Sequence, residues 1–264
     1  MQFNQYIVDA FASRPFEGNP AAVCLLDHWL PDATLAAIAA ENNQSETAFV
    51  VEAPGRHELR WFTPTFEIDL CGHATLASAF VVMRFVRPSL DTVAFSTRSG
   101  VLTVRRDGDL YRMDLPSRPG TPTEVPGLLA QGLGLQPTEV LMARDCLAIV
   151  ESEDDVLRCK PDFDVLARLP SLGVIVSAPG RQHDFVSRAF FPTDSLKEDA
   201  VTGSAHCTLV PYWARRLGKT RLHARQLSQR GGDLLCEDLG ERVGIAGSAV
   251  LFAEGVIHLP DSVA

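Results

Sequence analysis

The chain has 264 residues, with 24 Lys and Arg against 33 Asp and Glu, for a formal net charge of −9. A composition of 46% hydrophobic and 22% charged residues fits a globular chain with a substantial core. The acidic balance gives no support to binding of nucleic acid or an anionic membrane. Apolar runs such as Ala74–Met83 stop far short of the roughly 20 residues that cross a bilayer, and the first residues show no secretory signal pattern. Six cysteines without CxxC or other paired spacing point to buried thiols in a reducing cytosol rather than to zinc or disulfides. The expected location is cytoplasmic, with no metal.

Along the chain, a helix begins near Pro31, a residue favoured at the first helical position, and runs through Ala33–Glu41. A strand, Ala48–Val51, enters the turn Ala53-Pro54-Gly55-Arg56, and a second strand, Glu58–Phe62, leaves it. A loop ending at Gly72 leads into a helix from Ala74 to about Val86 that is apolar almost all round, and such a helix has to be buried on all sides. Hairpin strands follow at Val93–Thr97, Val101–Arg106 and Asp109–Leu115, with Asp107-Gly108 as a turn signal. The segment Pro116–Pro126, rich in Pro and Thr, reads as a linker. Further on, a buried helix spans about Ala205 to Leu217, with Pro211 predicting a kink. Strands then lie around Leu222–Leu227, Asp233–Glu237 and Arg242–Ala246.

The second half repeats the first. Leu30-Pro31-Asp32 matches Lys160-Pro161-Asp162, and Ala53-Pro54-Gly55-Arg56 matches Ala178-Pro179-Gly180-Arg181. Arg60-Trp61-Phe62-Thr63-Pro64 matches Arg188-Ala189-Phe190-Phe191-Pro192, Gly72-His73-Ala74 matches Gly203-Ser204-Ala205, and Asp107-Gly108 matches Leu239-Gly240. Five matches in chain order, all offset by nearly half the chain, imply an internal duplication. The expected fold is α+β: two pseudo-symmetric domains, 1–117 and 118–264, each a curled, mostly antiparallel sheet around a central apolar helix. The last strand is free to cross back to the first domain.

Residues shared by both halves serve the fold, so reactive residues present in one half invite a functional reading. Glu46 corresponds to Ser171, His73 to Ser204, and Asp199 falls near Ile68. The loops before the two buried helices are expected to face each other. Paired helix N-termini favour an anion, and Gly72 and Gly203 admit close approach to the backbone. No GxxxxGK[ST] phosphate loop occurs, so a small carboxylate is the expected ligand. Glu46, His73 and Asp199 can titrate there, and a carboxyl group lifted in pKa by partial burial can take a proton from carbon and return it elsewhere.

At these residues the sequence resembles the phenazine-biosynthesis PhzF-like family. The motifs are Phe16-Glu17-Gly18-Asn19-Pro20, Gln44-Ser45-Glu46-Thr47, Arg60-Trp61-Phe62-Thr63-Pro64, Cys71-Gly72-His73-Ala74 and Glu198-Asp199-Ala200-Val201-Thr202-Gly203-Ser204. Ala200 stands where the family pattern usually has Pro. The resemblance implies a diaminopimelate-epimerase-like fold, a site between two similar domains, and a homodimer. It also implies a cofactor-independent isomerase that shifts a proton on a dihydro-hydroxyanthranilate ring. Glu46 is then the acid/base, His73 and Asp199 assist it, and Gly72, Gly203 and Ser204 meet the substrate's polar groups. Epimerases and racemases of this fold use two thiols, whereas here only Cys71 is present, opposite Thr202. A one-thiol epimerase, racemase or dehydratase using Cys71 and a non-catalytic small-acid-binding protein remain as alternatives.

Overall fold

The computed structural model describes residues 1–53, 55–193 and 197–260; Pro54 of the first predicted turn lies outside them. The chain divides into two units, Met1–Asp114 with Ala246–Ala264, and Leu115–Ile245.

In the first unit, β1 (Gln2–Ala10) runs antiparallel to β2 (Asn19–Leu26). Helix α1 (Asp32–Asn42) has Pro31 as its N-cap, and leads to β3 (Glu46–Ala53). β3 is parallel to β2 and antiparallel to β4 (Arg56–Phe62). The two-residue β5 (Glu67–Ile68) is antiparallel to β4. Helix α2 (Gly72–Val81) follows, and all ten of its residues are buried, as an apolar circumference demands. It continues as a π-turn over Val82–Val86, where burial ends at Met83, so the predicted helix to Val86 changes its hydrogen bonding in the last turn. β6 (Thr92–Thr97) is parallel to β4, and β7 (Gly100–Asp107) and β8 (Leu110–Pro116) extend it by antiparallel hairpins. Asp107 pairs with Leu110, so Gly108 (φ +61°) and Asp109 form the turn, one residue later than the sequence signal.

The second unit contains β9 (Thr121–Thr123), α3 (Gly127–Leu133), β10 (Glu139–Met142), β11 (Cys146–Ile149), α4 (Glu153–Arg158), α5 (Phe163–Leu166) and β12 (Val174–Pro179). β13 (Phe185–Phe190), β14 (Glu198–Asp199), α6 (Gly203–Leu217), β15 (Arg221–Gln226), β16 (Gly232–Asp238) and β17 (Arg242–Gly247) follow. The expected linker therefore contains a strand: β9 pairs antiparallel with β10 through Thr121, Pro122 and Thr123. Helix α6 continues through Pro211 as one element. The chain's last strand, β18 (Ala249–His258), pairs antiparallel with β1 in the first unit. No helix among the described residues is long and apolar enough to cross a membrane.

The pairings of the two units repeat. β18–β1–β2 and β9–β10–β11 are antiparallel, β2–β3 and β11–β12 parallel, β3–β4–β5 and β12–β13–β14 antiparallel. β4–β6 and β13–β15 are then parallel, and β6–β7 and β15–β16 antiparallel. Each repeat keeps one charged clamp. Arg60 donates through Nε and Nη2 to the two carboxylate oxygens of Glu67 at 2.8 and 2.7 Å, and its guanidinium lies 5.1 Å from the Phe62 ring centroid. Arg188 donates likewise to Glu198 at 2.7 and 2.9 Å, 5.0 Å from Phe190. Bidentate geometry gives strength and direction, and each clamp tethers a two-residue strand just ahead of the buried helix. Arg188→Ala is expected to lower unfolding free energy by about 2 kcal/mol, since it strands the partly buried Glu198 carboxylate, and Arg60→Ala by less, since Arg98 still reaches Glu67 at 2.8 Å. Urea denaturation checks this, and an unchanged midpoint in either variant would show that its clamp is peripheral.

Candidate active site

Glu46 opens β3 beside Ala21 of β2, and His73 is the second residue of α2. Their placement starts at Gly18, which has φ +65° and lies so close to the preceding strand that a Cβ would sit 2.1 Å from the Ala10 carbonyl oxygen. Only glycine fits there, and the turn delivers Asn19 to the start of β2. The Asn19 amide Nδ2 donates to His73 Nδ1 at 3.0 Å. Ser45 Oγ donates to Asn19 Oδ1 at 3.3 Å and lies 3.3 Å from His73 Nε2. Glu46 Oε2 is 3.0 Å from the same Nε2, an ion-pair contact off the hydrogen-bonding direction. With Nδ1 accepting from the amide, neutral His73 carries its proton on Nε2, facing Glu46 and Ser45. The His73 side chain is 4% exposed and that of Glu46 17%, so the carboxylate is the member of the pair that a ligand can reach.

Burial is the largest influence on both groups, pushing Glu46 up and His73 down. Their mutual attraction, with hydrogen bonding from the neighbouring side chains, reverses both: Glu46 ends below the ordinary carboxylate value and His73 well above the ordinary imidazole value. The expected upward lift of Glu46 by burial is therefore corrected, because His73 outweighs it. The Cys71 sulfur lies 3.5 Å from His73 Nδ1. Burial first, and the Glu46 charge second, push its thiol up to about 11, so it is protonated at neutral pH. Glu46, Cys71 and His73 offer three ligand atoms within 4.8 Å of one another, but a metal there would have to ionise this buried thiol.

In the second unit, Asp199 Oδ2 accepts a hydrogen bond from Thr202 Oγ1 at 2.7 Å. Gln226 braces both residues: its Nε2 donates to the Asp199 carbonyl at 2.9 Å and to Thr202 Oγ1 at 3.1 Å, while its Oε1 accepts from the Thr202 amide at 2.8 Å. Gly203 and Ser204 open α6, and Ser204 Oγ accepts from Arg144 Nη2 at 3.0 Å. Arg144 also pairs with buried Asp145 at 2.8 Å. No side chain caps the N-terminus of α2 or of α6. His206 donates from Nδ1 to the Thr202 carbonyl at 2.8 Å, and burial holds its pKa at about 4, so it is a neutral structural group.

Sheet register refines the comparison of the halves. Thr47 pairs with Phe62 and Val174 with Phe190, which aligns Glu46 with Gly173 instead of Ser171. A Cβ at Gly173 would lie 2.6 Å from the Phe191 ring, so the second unit has no room for a counterpart of Glu46. Asp199 and Ile68 occupy the same place in the short strands β14 and β5. The structure thus brings Glu46, Gly72 and His73 together in the first unit and Asp199, Gly203 and Ser204 in the second. Sequence reasoning passed over Asn19 and Ser45 as chemical groups although both stand in the motifs, and missed Arg144 and Gln226, which carry no local signal. A cavity of about 800 Å³ in the first unit is lined by residues such as Tyr6, His57 and Phe85, and not by Glu46 or His73.

The family model for phenazine biosynthesis-like proteins, PhzC-PhzF, matches residues 8–255. The chain belongs to this family. It is 51% identical to an uncharacterized isomerase of Pseudomonas aeruginosa over 98% of this chain and all of that one. The PhzF-family crystal structure from Enterococcus faecalis superposes with a TM-score of 0.96 at 46% identity, covering 98% of this chain and all of that one. A predicted epimerase of Pseudomonas aeruginosa shares the fold at a TM-score of 0.77 and 20% identity, covering 98% and 100% of the two chains. The α+β fold is thus that of PhzF and diaminopimelate-epimerase-like proteins, and isomerase is the activity class at the level of the family.

His73 is what holds the Glu46 carboxyl down. In ¹³C NMR titration of the PhzF-family chain, that carboxyl is expected to titrate below 4.5, the ordinary value, and to move upward in His73→Ala, where only hydrogen bonds from Ser45 and Cys71 still oppose burial. The sign for stability follows: a depressed carboxyl stabilises the folded chain above its unfolded pKa, and the contribution fades as pH falls through the folded value. A Glu46 resonance that titrates identically in both proteins would refute the coupling.

Proposed function

We propose that the chain is a cofactor-independent isomerase that moves a proton on a small cyclic carboxylic acid of the dihydro-hydroxyanthranilate type, with Glu46 as the proton carrier. The observation that carries this reading is the Glu46–His73 pair: a carboxylate with a narrow exposed edge, held against a buried imidazole at 3.0 Å. Glu46 takes a proton from an sp³ ring carbon, the ring double bond shifts, and the protonated Glu46, whose exposed edge exchanges with solvent, returns a proton at another carbon. Nothing is oxidised and no atom is lost. A carboxyl with a depressed pKa is a strong acid once protonated, which favours rapid return of the proton. His73 tunes Glu46. Asp199 assists, and Gly72, Gly203 and Ser204 are assigned to the substrate's polar groups, with Arg144 supplying positive charge at Ser204. We place the enzyme in the cytoplasm and as a homodimer, without metal or cofactor in the reaction.

Cys71 fits a thiol mechanism poorly, because both burial and the neighbouring carboxylate disfavour its thiolate. Incubation with dihydro-hydroxyanthranilate and related ring acids in deuterated water tests the assignment. Deuterium is expected in the product ring, with the rate in Glu46→Gln reduced by about 10³-fold and Cys71→Ala remaining active. Exchange that survives Glu46→Gln, or is abolished by Cys71→Ala, would overturn the Glu46 mechanism. Tight binding of a ring acid without exchange would favour the binding-protein reading.

A further inference from the structure

A second side-chain cluster, in the second unit, is not used by the proposed reaction. His183 lies in the turn between β12 and β13, His223 on β15 and Asp233 on β16. His183 Nε2 is 3.0 Å and His223 Nε2 3.3 Å from the same oxygen, Asp233 Oδ1. All three ligand atoms lie within 4.8 Å of one another. Tetrahedral zinc with ligands at about 2.0–2.1 Å places neighbouring ligand atoms about 3.3 Å apart, so both nitrogen–oxygen spacings already match an occupied site.

The surroundings hold these groups in place. A Cβ at Gly180 would lie 2.5 Å from the His183 carbonyl oxygen, so the turn carrying His183 is tight. The Asp184 amide donates to the His223 carbonyl, and the His223 amide to Asp184 Oδ2, each at 2.8 Å, which locks the turn to β15. Arg225 holds the other carboxylate oxygen of Asp233, Oδ2, leaving Oδ1 to the imidazoles. An outer partner that orients a ligating carboxylate is a usual feature of metal sites. The duplication supplies an independent argument. Through β4–β6–β7 and β13–β15–β16, His223 aligns with Ala94 and Asp233 with Val101. The cluster is therefore peculiar to the second repeat, and the shared fold does not require it.

We propose that His183, His223 and Asp233 bind a borderline divalent cation of the zinc class, with water completing the coordination. Two imidazoles and one carboxylate suit Zn²⁺ and disfavour Ca²⁺ or Mg²⁺, which take oxygen ligands. The cation would staple the β12–β13 turn to β15 and β16. The absence of paired cysteines does not bear on a site made of histidine and carboxylate.

Tag-free full-length protein, stripped with a chelator and desalted, is titrated with Zn²⁺ against a chromophoric competitor. Saturable uptake is expected, weakened at least tenfold or so by His183→Ala and by His223→Ala, with unfolding temperature of the wild type rising with Zn²⁺. In wild-type protein, imidazole ¹H–¹⁵N spectra should show Zn²⁺ shifting both His183 and His223 and Ca²⁺ shifting neither, a readout independent of whether the variants fold. Absence of saturable uptake, or uptake unchanged in the double variant, would overturn the proposal. So would uptake lost on Cys71→Ser and retained in the double variant, which would place the cation at Glu46, Cys71 and His73.

Discussion

Complete burial of α2 is the constraint from which the first unit follows. All ten of its residues are buried, and each large apolar side chain such as Leu76 or Phe80 gains about 1.5–3 kcal/mol from leaving water. A helix enclosed on every side meets polar chemistry at its ends. His73 sits in the first turn, and a buried imidazole without partners would cost about 1–3 kcal/mol. Asn19, Ser45 and Glu46 meet that need from the starts of the neighbouring strands β2 and β3. The reactive pair is thus a consequence of solving the burial problem at one helix end.

The second unit solves the same problem with different side chains. Its helix opens with Gly203 and Ser204 where the first has Gly72 and His73, and Arg144 reaches Ser204 from just ahead of β11 as Asn19 reaches His73 from the start of β2. The Thr75 hydroxyl and the His206 imidazole play equivalent parts, each donating to the carbonyl of its own helix cap. Both repeats retain the arginine–glutamate clamp that holds the strand before the helix. A common frame with exchangeable groups at the helix N-terminus lets one half carry a base while the other carries a cation and a hydroxyl.

Much of this frame is legible in the chain because local physics dictates it. The run Ala74–Met83 has no polar face to expose, and Gly108 supplies the positive φ that a two-residue hairpin turn needs. The two-residue strands β5 and β14 are too short to show any period, and β9 lies in a Pro- and Thr-rich segment whose backbone pairing leaves no side-chain pattern. Glu46, His73 and Asp199 stand out in sequence because the duplication breaks at them. The direction of the Glu46 pKa does not, since burial and the His73 contact oppose each other and only their distance and exposure decide the outcome. Arg144 and Gln226 act across 60 and 24 residues respectively, a separation that short-range patterns do not encode.

Asn19 adds a further restriction on the chemistry. The charge on Glu46 favours a second proton on His73, and that proton has to enter at Nδ1, where the Asn19 amide already points an N–H. Accepting it requires the amide to turn over and present Oδ1, and Ser45, which now donates to Oδ1, would have to accept from Nδ2 instead. Protonation of His73 is therefore tied to reorientation of two neutral groups packed beside it. As long as the amide keeps its present sense, the positive Nε2–H edge of the imidazole stays 3.0 Å from Glu46 Oε2, off the hydrogen-bonding direction, whether the carboxyl is charged or has just taken up a proton. That fixed electrostatic contact stabilises the charged carboxylate more than the neutral acid, so the pair resists holding the proton and drives it back to carbon.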